Sequence, residues 1–233
     1  MDDLKQHYLS QLPDTARWVE TRDLLSAHTS SFIENKAANG FVVWREDKAL
    51  GAIVGDVDSS TSLEAARACP ELLAFPENIQ DIQSLLTQFR AEQAVLFEAP
   101  RAFPTSTAHV CKTISIADVV AMQHLPEALY KELSTLEPTT FMTAAFDNEL
   151  AVAFAYVASQ TETLWDISID TLATHRRQGY AASAVLALMN AMKAKGKTAI
   201  WGALESNLAS LGLARKLGFT EVDNLWVLSR HQE

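Results

Sequence analysis

The chain has 233 residues, of which 48% are hydrophobic and 21% charged, a composition typical of a soluble globular protein. Its formal net charge is −10, so we expect no general attraction to nucleic acid or to an anionic membrane surface. Two cysteines are too few for a disulfide framework, and the scattered histidines lack the spacing of a metal site. The first residues do not have the order of a signal peptide and no apolar run approaches a membrane span, so we expect a cytoplasmic protein.

In the N-terminal part, the sequence predicts helices, a hairpin and a further helix. Residues 3–28 predict one or two helices broken by Pro13, and residues 40–57 predict a β-hairpin. In residues 78–93 four apolar side chains recur at helical spacing: Ile82, Leu85, Leu86 and Phe89. Residues 94–99 predict a short strand, and the proline-containing stretch 99–106 predicts a linker. We therefore predict an N-terminal α/β domain over 1–100 and a second domain over 107–233.

The second domain shows a regular alternation of elements. The sequence predicts, in order, a strand (108–114), two helices (117–125 and 127–133), a hairpin (141–158), a strand (164–171), a helix (179–194), a strand (198–203), a helix (207–217) and closing strands (219–222 and 225–230). This order predicts a layered α/β fold with a mixed central sheet flanked by helices. Both domains contain a hairpin after helical segments, so the smaller N-terminal α/β domain could be a degenerate partial copy of the second.

The stretch THRRQGYAASAV, residues 174–185, carries the clearest chemical signal. Gly179 lies between a predicted strand and the start of a predicted helix. The first turn of a helix offers N–H groups without intrahelical partners, and glycine allows a phosphate to approach the backbone closely. Arg176 and Arg177 add positive charge, while Ala181 and Ala182 leave room for a bulky ligand. The stretch therefore predicts a diphosphate site at a helix N-terminus.

The same pattern is loose enough to occur by chance. It is not a Walker loop, because no Gly-Lys-Ser/Thr follows, and it has only one of the three glycines of a dinucleotide fingerprint. A structural α/β domain with a chance motif is therefore one interpretation that the residues leave open.

With its surroundings, the motif resembles the GNAT superfamily of acetyl-CoA-dependent N-acetyltransferases. Arg176-x-x-Gly179-x-Ala181 is similar to the superfamily's CoA pyrophosphate motif, and ESNLASLGLARKLGF (205–219) is similar to its second signature. The resemblance is specific over about 164–219 and only architectural before residue 107. More narrowly, the chain resembles a bacterial subgroup that carries an extra N-terminal domain.

The resemblance implies acetyl-CoA as cosubstrate, no metal, and a set of binding residues. The CoA pyrophosphate would be held by the backbone of six residues: Arg176, Arg177, Gln178, Gly179, Tyr180 and Ala181. Ile169, Asp170 and Thr171 would end the central strand, whose backbone pairs with the pantetheine and acetyl groups. Asn207 would lie beside the pantetheine arm, with Ser210 one turn further along the helix. Asn207 has the alternative role of a helix N-cap.

Acetyl transfer to an amine needs a base for the amine and benefits from an acid for the departing thiolate. Superfamily members commonly supply the acid from a tyrosine before Lys-Leu-Gly-Phe, but this chain has Ala214 there. Three alternatives follow: the thiolate leaves without an acid, Tyr180 or Tyr156 serves, or the protein does not catalyse.

For the base, Asp166 and Asp170 are the acidic residues of the central strand, and at i and i+4 they share one face. Either aspartate could instead cap a strand end or pair with an arginine of the motif. The glutamate usual in the superfamily falls near Trp165, so neither is a clean match. A β-bulge in the strand would change which side chains face the cleft.

The interpretation favoured by these residues is an N-acetyltransferase that moves an acetyl group to a primary amine by direct attack in a ternary complex. The acceptor is a small-molecule amine or a protein amine, and the acidic composition slightly favours a cationic one. A homodimer could form through an exposed N-terminal hairpin. The alternative is a catalytically silent acyl-CoA-binding sensor or regulatory module.

Overall fold

The computed structural model describes residues 2–35 and 40–230. It divides into two compact units. The first consists of Met1–Glu98, Gly202–Gly212 and Glu221–Glu233, and the second of Ala99–Trp201 and Leu213–Thr220. The predicted domain boundary between residues 100 and 107 stays a prediction, because a compact unit need not fold alone.

Within the described residues, the α-helices are, in chain order, α1 (Asp2–Gln11), α2 (Val19–Ser26), α3 (Ser59–Ala68), α4 (Ile79–Leu85), α5 (Ile116–Val120), α6 (Glu127–Ser134), α7 (Tyr180–Lys193) and α8 (Leu208–Lys216). Short 3-10 turns lie at Ala16–Trp18 and Ala173–His175. The strands are β1 (Ser31–Asn35), β2 (Gly40–Arg45), β3 (Leu50–Val54), β4 (Glu71–Ala74), β5 (Phe89–Glu98), β6 (Val110–Ile114), β7 (Met142–Asp147), β8 (Leu150–Gln160), β9 (Leu164–Thr171), β10 (Thr198–Leu204) and β11 (Thr220–Arg230).

In the first unit the strand order is β1-β2-β3-β4-β11-β5. β1, β2 and β3 pair antiparallel, β3 and β4 pair parallel, and the C-terminal strand β11 pairs antiparallel with β4. Alternate residues of β2 point to opposite faces. Phe41 and Val43 pack with Leu24 of α2, whereas Val42 and Trp44 belong to the core under α3 and α4. Helices therefore cover both faces of these strands.

In the second unit the strand order is β10-β9-β8-β7-β6. β6 to β9 pair antiparallel, and β9 pairs parallel with β10. On one face, Leu133 of α6 packs with Phe154 and Tyr156 of β8. The other face carries α7, where the Thr143 hydroxyl donates a 2.8 Å hydrogen bond to the Ala184 carbonyl. β9 therefore runs between the α5–α6 layer and the α7 layer.

The order of elements repeats within the chain. Two helices, three strands, a helix, a strand, a helix and a strand occur from α1 to β5 and again from α5 to β11, with β6 added before the second copy. The pairing repeats as well, because β1-β2-β3-β4 and β7-β8-β9-β10 each contain two antiparallel pairs followed by a parallel one. The fold is thus a mixed α/β fold, as predicted, and the N-terminal part has the element order of a partial copy.

Several element predictions differ from the structure. The helix predicted over 78–93 ends at Leu85, and Phe89 begins a strand that was predicted to start only at residue 94. β1 and β4 were not predicted, and the two closing strands form one continuous strand. By contrast, β9 matches its predicted range and α7 begins one residue later than predicted.

In the described part of the chain, no helix has the length and apolar character needed to cross a membrane. The same residues contain no group of three or more His, Cys, Asp or Glu side chains that could hold a metal ion.

Candidate active site

The start of α7 has an unusual backbone. Gly179 occupies the N-cap position with φ 92°, in the left-handed region, and Arg177 is also left-handed with φ 60°. Gly179 brings no capping side chain, and intrahelical bonding begins with Ser183 N–H donating to the Gly179 carbonyl at 3.0 Å. The N–H groups of the first turn are therefore open to a ligand. Left-handed residues next to a helix start also turn successive N–H groups to one side, a geometry that binds anions.

The side chains before Gly179 are exposed and partly fixed. Arg176, Arg177 and Gln178 are all exposed. Arg176 Nε donates to the Thr171 carbonyl at 3.3 Å, and Gln178 Nε2 donates to the Thr174 carbonyl at 2.9 Å. These two bonds hold the loop in place. The structure thus brings together the predicted pyrophosphate residues from Arg176 to Ala181.

His109 and His175 pack against Tyr180 at the start of α7. The ring of Tyr180 is 7% exposed and stacks on His109, with 3.8 Å between ring centroids. His109 Nε2 lies 2.9 Å from the Gln178 carbonyl, and the edge of His175 lies against Tyr180. Burial, and then the neighbouring Asp147 carboxylate, raise the pKa of the Tyr180 hydroxyl. Tyr180 is therefore anchored in the structure, and its assigned catalytic role stays a prediction.

A second cluster forms where β8, β9 and α6 meet. Tyr156 of β8 lies opposite Ser168 of β9, and Asp170 is on the same face two residues later. The Tyr156 hydroxyl donates a 2.6 Å hydrogen bond to Glu132 Oε1 of α6, and Ser168 also hydrogen-bonds to Tyr156. Burial and the charge of Glu132 raise the pKa of Asp170 to about 6, while Arg176 acts in the opposite direction. Asp170 can therefore exchange a proton near neutral pH.

Sequence reasoning proposed Asp170 and Tyr156 but missed Glu132 and Ser168. Glu132 is 24 residues away from Tyr156 and on another element, so only the tertiary structure brings the two together. Ser168 could have been found from the predicted hairpin and strand, because it lies two residues before Asp170 and therefore on the same face.

Asp166 lies on β9 at the end of the segment paired with β10. It is half-buried, whereas Trp165, near the position of the superfamily's glutamate, is 1% exposed and belongs to the core. The β8–β9 register shifts between Val157–Ile167 and Gln160–Trp165, so the extra residue lies on β8, opposite Asp166. The β9 strand itself has no extra residue at this point, because the irregularity lies on the neighbouring strand β8.

The C-terminal half of β9 has one paired edge. Ile169 and Thr171 are half-buried and lie opposite Ala155 and Ala153 of β8. On the other edge, the pairing with β10 runs from Leu164 to Asp166, although β9 continues to Thr171. The outer edge of residues 167–171 can therefore offer backbone donors and acceptors to an extended ligand.

Asn207 and Ser210 belong to the first unit, at the start of α8. Asn207 is exposed, and its Oδ1 accepts a 3.1 Å hydrogen bond from the Ser210 N–H, which is the N-cap geometry. The alternative of a capping role is thus confirmed, and a role of these two residues in cofactor binding stays a prediction. Ala214, where the superfamily commonly has a tyrosine, is completely buried.

An open pocket of about 410 Å³ lies at the α5–α6 connection. Its lining offers polar and apolar surface in nearly equal parts and includes one carboxylate: Val120, Met122, Gln123, Leu125, Glu127 and Tyr130.

Comparison with known proteins gives a family match and a common fold. Residues 120–228 match the family model described as GNAT acetyltransferase. No curated protein matches this chain in sequence. A GCN5-related N-acetyltransferase-like protein from Streptococcus suis 89/1591 has a TM-score of 0.72 at 15% identity, over 99% of this chain and 100% of that one.

Two further solved structures are similar at lower scores. A GCN5-related N-acetyltransferase from Kribbella flavida has a TM-score of 0.62 at 12% identity, over 93% of this chain and 95% of that one. A tandem GNAT protein from the clavulanic acid biosynthesis pathway, without AcCoA, has a TM-score of 0.60 at 10% identity, over 100% and 96%. At such identities the likeness concerns the fold. The chain therefore has a GNAT-like fold, and its residues 120–228 match the GNAT acetyltransferase family model.

Proposed function

We propose that the protein is an N-acetyltransferase that transfers the acetyl group of acetyl-CoA to a primary amine by direct attack in a ternary complex. The observation that carries the proposal is the uncapped start of α7, with left-handed Arg177 and Gly179 before it. We further propose that the chain falls in the bacterial subgroup with an extra N-terminal domain, an idea supported by the repeated element order.

In this proposal the second unit binds the cosubstrate through its backbone. The N–H groups at the start of α7 would hold the pyrophosphate, and the charges of Arg176 and Arg177 would neutralise it. The outer edge of β9 at Ile169 and Thr171 would pair with the pantetheine arm. When bound, acetyl-CoA supplies an activated acyl carbon and a thiolate leaving group.

Asp170 is the base in this proposal. A carboxyl with a pKa of about 6 is mostly ionised at pH 7 and still takes up a proton readily. Its position three residues before Ala173, the start of the Ala173–His175 turn, places it near the end of β9 that leads to the proposed pyrophosphate loop. Asp166 stays the second candidate for the base, in line with the sequence analysis.

The thiolate leaves without a tyrosine acid. Burial and the hydrogen bond to Glu132 raise the pKa of Tyr156, so its proton is held by Glu132 and not offered to a leaving group. Ala214 has no proton to give. Because a thiolate is a fair leaving group, the absence of a general acid should lower the rate less than the absence of the base would.

The acceptor is a small-molecule or protein amine, and its non-reacting part would lie in the pocket between α5 and α6. The mixed polar and apolar lining, which includes the carboxylate of Glu127, favours an amine that carries a further positive charge beside an apolar part. A homodimer, a cytoplasmic location and the lack of nucleic-acid or membrane partners stay predictions.

The proposal is tested by acetyl-CoA binding to the wild type and to Gly179→Asp, measured by calorimetry. At φ 92° an L-residue is strained, and a Cβ would lie 3.4 Å from His109 Nε2. The added carboxylate would also repel the pyrophosphate. We expect micromolar binding to the wild type and none to the variant.

The matched control is Gly196→Asp, beyond the other end of α7. Gly196 is also left-handed, with φ 69°, and an added Cβ there meets nothing within 4 Å. This variant should bind like the wild type. Binding that is absent in the wild type, or equal in both variants, would contradict the proposal.

The alternative is an acyl-CoA-binding module without turnover, and the buried Ala214 is the observation that favours it. A panel of primary amines offered with acetyl-CoA distinguishes the two. Release of free CoA that depends on the amine supports the enzyme, and tight binding with an intact thioester supports the sensor.

A further inference from the structure

Glu132 makes an unusual contact for an exposed helix residue. Glu132 is exposed, yet its Oε1 accepts a 2.6 Å hydrogen bond from the hydroxyl of Tyr156, a residue that is only 4% exposed. The hydroxyl of this buried ring thus donates to a carboxylate. A buried hydroxyl needs a hydrogen-bond partner, and a neutral acceptor would also provide one.

Because the acceptor is a carboxylate, its negative charge acts on the ionisation of Asp170 in β9. The charges that act on Asp170 are Glu132 on α6, which disfavours its ionised form, and Arg176 after β9, which favours it. Tyr156 on β8 is the third titratable group, and the charges of Glu132 and Asp170 both oppose its ionisation. Two carboxylates around one buried hydroxyl are unfavourable for folding, and such arrangements occur preferentially at functional sites.

We propose that Glu132 is a positioning residue of the active centre, which fixes the Tyr156 hydroxyl and places a second negative charge beside Asp170. This inference rests on the proposed function. Glu132 touches no reacting atom. It acts through its neighbours, because its charge keeps a proton on Asp170 to higher pH, so that this carboxyl can both accept and release a proton near neutrality.

The test is the titration of Asp170, followed by NMR of 13C-labelled aspartate side chains in the protein without acetyl-CoA. Asp170→Asn assigns the signal. In Glu132→Gln, which keeps a hydrogen-bond acceptor but loses the charge, we expect the pKa of Asp170 to fall by roughly 0.5–1 unit. Glu132→Asp restores the charge and should restore most of the shift, which a merely structural role would not do.

The matched control is Glu149→Gln, which removes one exposed carboxylate from the β7–β8 turn of the same unit. It should leave the titration of Asp170 unchanged. In the acetylation assay, the acid limb of the pH profile should move to lower pH in Glu132→Gln by the same amount as the NMR titration.

An Asp170 titration that is identical in wild type and Glu132→Gln overturns the inference. A wild type that transfers no acetyl group counts against the proposed function alone, because the titration needs neither acetyl-CoA nor turnover. A shift in Glu132→Gln that Glu132→Asp does not reverse also overturns it, since the effect would then not follow the charge.

Discussion

At the scale of single residues, Asp170 combines burial, a neighbouring negative charge and an arginine, and these set when it is ionised. Its pKa is raised to about 6, so the carboxylate that the proposed function uses as the base is lost as the pH falls through 6. We expect kcat/KM to rise with pH through about 6 and to level off above pH 7. Asp170→Asn should lower kcat/KM by about 100-fold or more and remove this acid limb. Asp166→Asn is the comparison, and a larger loss there would move the base to Asp166.

A measurement of thermal stability shows whether Asp170→Asn loses activity through the lost carboxylate or through misfolding. A carboxyl whose folded pKa lies above its unfolded value binds more protons in the folded state, so the free energy of unfolding falls as the pH rises from about 4 to about 6. Asp170→Asn removes this loss. The variant should therefore melt at a higher temperature than the wild type at pH 7.5 and show less difference at pH 5. Scanning calorimetry at the two pH values measures both.

The open helix start after Gly179 could be predicted because its signal is local, while the pyrophosphate role of this loop stays a prediction. Gly179 and the two arginines follow one another in the chain, and the helix start that they need is read from the alanine-rich run behind them. Glu132 and His109 gave no such signal, because a single acidic residue or histidine has many ordinary uses. Their roles depend on contacts made across 24 and 69 residues of chain.

At the scale of elements, hydrophobic periodicity predicted those helices correctly that bury one face over many residues. α7 has a sustained apolar stripe and begins within one residue of its predicted start. The helix over 78–93 failed because Phe89 continues the helical spacing by coincidence and is buried as the first residue of β5. β4 is only four residues long, too short for any periodicity to appear.

The start of α4 depends on the buried side-chain amide of Asn78. Asn78, 3% exposed, precedes α4, and its Nδ2 donates to the carbonyls of Ile53 and Gly55 at 3.0 Å each. Its Oδ1 accepts from the Phe75 N–H at 2.9 Å. Asn78→Ala leaves these backbone groups unpaired, so we expect a loss of about 2–4 kcal/mol in the free energy of unfolding.

Urea unfolding measures this loss. Gln83→Ala, on the exposed side of the same helix, is the control and should stay within about 0.5 kcal/mol of the wild type. Equal stability of the two variants would mean that water replaces the amide at no cost.

At the scale of the whole chain, the element order from α1 to β5 repeats from α5 to β11. The corresponding helices α3 and α7 of these two copies begin differently. In the second copy, the start of α7 is left open behind Gly179. In the first copy, the start of α3 is capped by Asp58, whose carboxylate accepts a 2.8 Å hydrogen bond from the Thr61 N–H. The pairing of β11 with β4 could not be predicted, because nothing local in the sequence indicates it.

This difference predicts how many acetyl-CoA molecules one chain binds. Hydrogen bonds, first from Ser60 and then from Thr61, lower the pKa of Asp58, so its carboxylate stays charged at the place where a pyrophosphate would need to lie. The Asn78 amide also occupies the carbonyls at the end of β3, the strand that corresponds to β9. We expect native mass spectrometry to show one acetyl-CoA per chain and none in Gly179→Asp. Two molecules per chain, or one that persists in Gly179→Asp, would place a binding site in the first copy and contradict the view that a negative charge at a helix start excludes a phosphate.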